Sequence, residues 1–404
     1  MQLIHEMYSD YERLLHANPQ RGYDFFYSTL LNPSLRETML TSEASLQAIF
    51  CGCNEKGQAI FPNALNINDL LVDEGYMDQA LGNYLAFLGY SNPGNNWTTF
   101  LRNNYAAIFA DKAALAAMLQ SRTAMQLFVS DATLWAAILA NTIYFRRCMC
   151  SYYFCAQLAA TPTKIGDIRA NSNILTAFNT DKNIVTSNQT ITAAQSTVFF
   201  CMIIGQGGVG GRGGYSYRDS CDTYAADADP GTDGFVAGTK GKARYNGYPG
   251  TTYKNAGGGG GRGGVKYCTI RLRKNAKLSC VMGAVPSVTG CDKLSAFKQA
   301  ANNTQAQILP DIETSTDSTS GTNAANGYGG YGYGTPASGN NFLGTPSANK
   351  GEIPANGRYY GAEEGIGGKG IGAGGGGGAG NGNTSNGYVG GGGAPGCIGL
   401  YKGA

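Results

Sequence analysis

Ala256–Leu272, AGGGGGRGGVKYCTIRL, joins a run of glycines directly to an apolar, strand-like segment. The junction recurs twice. Ser196–Ile204 (STVFFCMII) runs into Gly205–Gly214 (GQGGVGGRGG), and Gly387–Gly393 (GYVGGGG) leads through Ala394-Pro395-Gly396 into Cys397–Tyr401 (CIGLY). A fourth run is Gly365–Gly380 (GIGGKGIGAGGGGGAG), and of the 61 glycines 53 follow residue 198. Glycine loses the most entropy on folding, so a Gly-rich coil with nothing to pack on stays disordered. Joined to strands, these runs read as building material: polyproline-II-like helices packed so closely that no side chain fits between them. Backbone N–H···O=C bonds and weak Cα–H···O contacts then stand in for a side-chain core. The competing reading is flexible linkers or RGG tracts. Collagen is excluded, because glycine keeps no unbroken every-third-residue register.

The chain has 404 residues, enough for two or three domains. Charged residues are 14 % and the formal net charge is +3, which gives no electrostatic argument for a nucleic-acid or membrane partner. The opening MQLIHEMYSDYERLL shows no signal-peptide pattern, and the most apolar window, Leu134–Phe145, is too short and polar to span a bilayer. Eleven scattered cysteines lack zinc-site spacing, even at Cys51/Cys53 and Cys148/Cys150. They read as mostly buried free thiols of a protein assembled in a reducing cytoplasm.

Residues 1–155 carry helical patterning, from Met1–Asn18 through Leu35–Leu40, Glu43–Phe50, Asp69–Val72, Met77–Leu88 and Trp97–Phe109. A repeat follows. Asp111-KAALAAMLQ, Ser121-RTAMQLFV, Ser130-DATLWAAILA and Asn141-TIYF each open on a short polar residue, at spacings of 10, 9 and 11. Each opening predicts the cap of a new short helix that must stack on its neighbours; one continuous amphipathic helix over 111–145 fits equally. Ala159–Ser196 is rich in Thr, Asn and Ser and predicts short strands and turns. The expected class is a multidomain α+β chain. It divides into a helical part (1–110), short-helix repeats (111–155), a Thr/Asn-rich β linker (156–198) and a Gly-rich β domain with polyproline-II-like helices (199–404). Leu278–Val285 adds a strand, and Tyr215–Asn255, Ser287–Gly327 and Gly329–Ala362 are expected to be long loops.

Catalytic patterns are missing. His5 and His16 both lie in the first helical window, and no G-x-S-x-G or H-E-x-x-H occurs. Gly208–Gly213 leads into no helix, so it forms no phosphate cradle. Asp219, Asp222, Asp227, Asp229 and Asp233 lack the EF-hand spacing, and Glu363 and Glu364 would point apart on a strand. Two RGG-like arginines, Arg212 and Arg262, are too few for RNA binding. We therefore expect no enzyme activity, cofactor, metal or nucleic-acid partner. The functional signal is aromatic: Tyr215, Tyr217, Tyr224, Tyr245, Tyr248, Tyr253, Tyr331, Tyr333, Phe342, Tyr359 and Tyr360, set among Gly, Ser and Asn. Tyrosine offers a stacking face and a hydroxyl at low entropy cost, so such segments read as recognition surfaces. The alternative is that these rings cap the glycine layers.

The order of strand, glycine run, loop, glycine run, strand and the closing Gly391-GGAPGCIGLY resembles the Gly-rich distal domains of tailed-bacteriophage tail fibres and tail-tip adhesins. The matching positions are Val198–Gly214, Ala256–Ala284 and Gly387–Tyr401, and the short units at 121–140 resemble helical repeats upstream of such domains. The resemblance implies a virion protein made in the host cytoplasm, with an attachment part at 1–110. Its partners would be other tail or fibre proteins and a host surface receptor, an outer-membrane protein or a glycan. It also implies a homo-oligomer, a trimer being one option. A purely structural virion component (baseplate, collar or head fibre) is the alternative. A depolymerase is disfavoured by the lack of a carboxylate pair. The Gly-rich domains of certain animal receptor kinases are also similar, but their kinase domain and membrane span have no counterpart here.

Overall fold

The computed structural model describes residues 27–54, 56, 58, 64–206, 265–299 and 395–403, with four short strands between 215 and 334. Its class is mixed α+β: short helices packed on an antiparallel sheet. The N-terminal window Met1–Asn18 and the glycine runs expected to form polyproline-II helices lie outside the described residues.

Among the described residues four helices come first: α1 (Pro33–Thr41), α2 (Glu43–Phe50), α3 (Ala64–Asp73) and α4 (Met77–Phe87). After α5 (Trp97–Ala110) the chain enters a strict ten-residue cycle. Asp111 caps α6 (Lys112–Met118), its Oδ1 accepting from Ala113 N at 2.9 Å. Ser121 caps α7 (Arg122–Ser130), Asp131 caps α8 (Ala132–Leu139) and Asn141 caps α9 (Thr142–Cys148). Each cap residue is extended, so one to three residues turn the chain between helices. The single-helix alternative for 111–145 is thereby excluded. The third cap is Asp131 and not Ser130, which closes α7 by donating to the Gln126 carbonyl. An aspartate beats a serine here because Asp131 Oδ1 reaches both Thr133 N and Leu134 N.

The cycle continues where strands and turns were expected. Ser151 precedes α10 (Tyr152–Ala160), α11 spans Thr163–Ala170, and Asn171 caps α12 (Ser172–Asn179). Thr and Asn in 159–179 are thus cap and helix-surface residues. Two columns of side chains explain the packing. Leu115, Met125, Trp135, Phe145, Cys155 and Ile165 are buried, as are Met118, Phe128, Ile138, Cys148, Leu158, Ile168 and Phe178. Helices this short bury only one or two turns each, and the columns join them into one continuous core.

The sheet has the order β1 (Lys182–Val185), β13 (Cys397–Tyr401), β3 (Thr197–Ile204), β6 (Val265–Leu272), β10 (Lys298–Gln299), with β9 (Lys293–Leu294) also on β6. Of the apolar segments read as strands, Leu278–Val285 is one only as far as Val281, whereas those within Ser196–Ile204, Val265–Leu272 and Cys397–Tyr401 are strands. Their runs are continuous because both faces are covered. Phe200, Met202, Ile204, Val265, Tyr267 and Tyr401 face the helices. Phe199, Cys201, Ile203, Cys268, Ile270 and Leu400 face a second sheet of β2 (Gln189–Thr192), β7 (Lys277–Val281) and β8 (Ser287–Thr289). Residues 287–299, expected in a loop, instead supply β8, β9 and β10. Residues 182–192, expected to form short strands of a linker, do form strands, β1 and β2, one in each sheet. The ten described cysteines are free thiols. No described helix is long and apolar enough to cross a membrane.

Two outcomes follow from this packing. Asp131→Ala should lower unfolding free energy by about 1 kcal/mol in urea titration, whereas Ser130→Ala should change it by less than about 0.5 kcal/mol. Gly396 lies so close to β3 that a Cβ would overlap the Ile204 carbonyl oxygen. Gly396→Ala should therefore cost about 1–3 kcal/mol in the same measurement.

Candidate recognition end of the sheet

Strand register brings four chain positions together. Ile204 at the end of β3 pairs with Val265, the first residue of β6, and also with Cys397, the first residue of β13. Gln299, at the end of β10, pairs with Lys266. Segments 207–264 and 300–394 therefore both leave and rejoin the fold at this one end. Gln206 fixes the first exit by donating its N–H to the Ala284 carbonyl at 2.9 Å. Close backbone approach fixes the last return, where Gly396 abuts Ile204.

All eleven aromatic candidates belong to these two segments. Tyr215 and Tyr217 lie on β4 (Tyr215–Arg218) and Tyr224 on β5 (Thr223–Ala226). The two strands pair antiparallel, with Tyr217 opposite Tyr224 and Tyr215 opposite Ala226. These three were expected on a loop; the alternating, β-prone sequences YSYR and TYAA form a ribbon instead. Tyr333 opens β12 (Tyr333–Gly334), opposite Thr314 of β11 (Glu313–Thr314). Tyr245, Tyr248, Tyr253, Tyr331, Phe342, Tyr359 and Tyr360 lie outside the described residues.

The opposite end of β6 holds a charged cluster that sequence reading missed. Arg271 is 5 % exposed and grips Asp69 of α3 with two bonds, of 3.1 and 2.6 Å. Its Nε donates to Asp292 at 3.0 Å. Lys293 adds a 2.6 Å bond to Asp69, and Tyr153 of α10 donates its hydroxyl to the same carboxylate at 3.4 Å. Burial works against the charge of Asp69, but the bonds and charges of Arg271 and Lys293 outweigh it and hold its pKa below the ordinary value of 3.8. Burial pushes the Tyr152 hydroxyl up to about 12, against the pull of Arg271. The one legible signal was an arginine inside the apolar run VKYCTIRL. Its partners lie far away in sequence, so spacing could not find them. Among the described residues no group of three His, Cys, Asp or Glu side chains could hold a metal ion.

No family model matches the chain, and neither the curated proteins nor the solved structures contain a match to it.

Arg271→Met should cost about 2 kcal/mol at neutral pH, because two part-buried carboxylates lose the charge-assisted bonds of their shared partner. Since Asp69 titrates below its unfolded value, the stabilisation is complete above about pH 4. It is lost as pH falls through the folded pKa. Urea titrations of both proteins should therefore show the gap between them narrowing below about pH 4.

Proposed function

We propose that this chain is a bacteriophage tail-fibre or tail-tip adhesin that binds a host surface receptor through the aromatic residues of segments 207–264 and 300–394. The observation that carries this reading is the convergence of both segments on one end of the sheet. A rigid scaffold presenting variable segments from one end is a general way to build a binding surface. Here the scaffold is the pair of sheets with the capped helices behind them. The glycine runs within the segments pack as polyproline-II-like helices and hold the tyrosines in place. Recognition needs stacking and hydrogen bonding only, so no cofactor or covalent step takes part. The helical part at 1–110 contributes to attachment on the virion, in a homo-oligomer with other tail proteins.

The register supplies a clean test. Ile204 and Val265 are paired neighbours, so residues 205–264 can be replaced by Asn-Gly, which suits a two-residue hairpin. The variant should keep the far-ultraviolet dichroism and cooperative unfolding of the parent. It should lose the parent's ability to bind permissive cells and to block phage adsorption. A variant that still binds would overturn the reading. So would normal adsorption by particles carrying it, and a failure of those particles to assemble would favour the structural-component alternative.

A further inference from the structure

The chain turns from β7 to β8 through Val281-Met282-Gly283-Ala284-Val285-Pro286, six residues without a polar side chain. Turns are ordinarily built from Gly, Pro, Asn, Asp and Ser, and an exposed apolar run marks a surface that something covers. Val281 is 44 % exposed and Val285 45 %, two of the seven exposed large hydrophobic residues among the described residues.

The turn is held from two sides. Met282 donates its N–H to Asn188 Oδ1 at 2.6 Å, and the Ala284 carbonyl accepts the Gln206 N–H at 2.9 Å. Val285 is therefore presented on a fixed frame, beside the point at which segment 207–264 leaves the sheet.

That segment opens with Gly207-Gly208-Val209-Gly210-Gly211-Arg212-Gly213-Gly214. Its one apolar side chain before Tyr215 is Val209, set between two pairs of glycines. An extended chain advances at most about 3.6 Å per residue, so the Val209 Cα lies within about 11 Å of the Gln206 Cα. So short a tether gives Val209 a high effective concentration at the turn. A receptor or a second copy of the chain must instead overcome the entropy of association. Glycine on both sides lets the backbone approach closely enough for one isolated side chain to reach the surface.

We propose that the apolar turn is the docking surface for the first glycine run of this same chain, with Val209 seated against Val281 and Val285. The contact anchors the segment close to its exit, six residues before Tyr215 and eight before Tyr217. It goes beyond the receptor reading, and its tests use the isolated chain without cells, so the two ideas fail separately.

In the first test Val285 is replaced by p-benzoylphenylalanine in the full chain, which is irradiated and the adduct mapped by mass spectrometry. The adduct should fall within residues 207–211. An adduct on a second chain, on segment 300–394 or on solvent alone overturns the proposal. The second test is limited trypsin digestion of the full chain, followed at Arg212, with Lys350 in the other segment as the reference site. Cleavage tracks the population of the detached run, so Val285→Asp and Val209→Asp should each raise the rate at Arg212 about tenfold and leave Lys350 unchanged. Val209→Lys combined with Val285→Asp should bring the rate back towards that of the parent, because the two charges attract across the contact. Equal rates at Arg212 in the parent and both aspartate variants overturn the proposal, as does a parallel rise at Lys350.

Discussion

The closing strand is the constraint on which the sheet depends. Cys397–Tyr401 lies between β1 and β3, so the N-terminal edge strand touches the rest of the sheet only through the last residues of the chain. Its five residues are all buried, alternating between the helix-facing core and the second sheet. Tyr401 packs tilted against Phe178 of α12 with ring centroids 4.7 Å apart, and Phe178 meets Phe200 of β3 at 5.9 Å. Helices and sheet are therefore completed together, after the whole of segment 300–394 has been spanned. Non-local pairing of this kind is slow, because loop closure must come before any contact that rewards it.

The helical layer meets that demand with local order. A ten-residue cycle places a cap, a buried side chain four residues on and another seven residues on, so each unit repeats the same contacts against its neighbours. Links beyond the columns are specific: Asn171 donates to the Leu139 carbonyl at 2.9 Å, and the Trp135 indole donates to Asp167 at 2.8 Å. Ser151 breaks the capping rule. Its hydroxyl bonds across the layer to Leu119 and not to its own helix, trading a local cap for a tie between units.

What was legible in the sequence follows from range. The strands of Thr197–Ile204, Val265–Leu272 and Cys397–Tyr401 were readable because each is a short apolar run bounded by glycine. The caps at Asp111, Ser121 and Asn141 were readable because capping is decided within three residues. Asp131 was missed because Ser130 beside it is an equally good cap by composition. Helices α11 and α12 were missed because Thr and Asn are common both in caps and in turns, and only the buried column of Ile168 and Phe178 separates the two. The aromatic residues of segments 207–264 and 300–394 were legible as a group, but the one end of the sheet at which both segments leave and rejoin the fold was not. That depends on Ile204 meeting Val265 and Cys397, pairings that no local pattern contains.

The same register decides how the scaffold can vary. Residues 204, 265, 299 and 396 are held by backbone pairing and by the close fit of Gly396. Segments can then change length and composition without altering the frame, since loop-closure cost grows only with the logarithm of length. The seam at Arg271 is a different kind of joint. Its charges are satisfied only in one arrangement of α3, α10 and β6, so it fixes the angle between helices and sheet where apolar packing alone would tolerate sliding. One end of the sheet is thus free to diversify because the other end is locked.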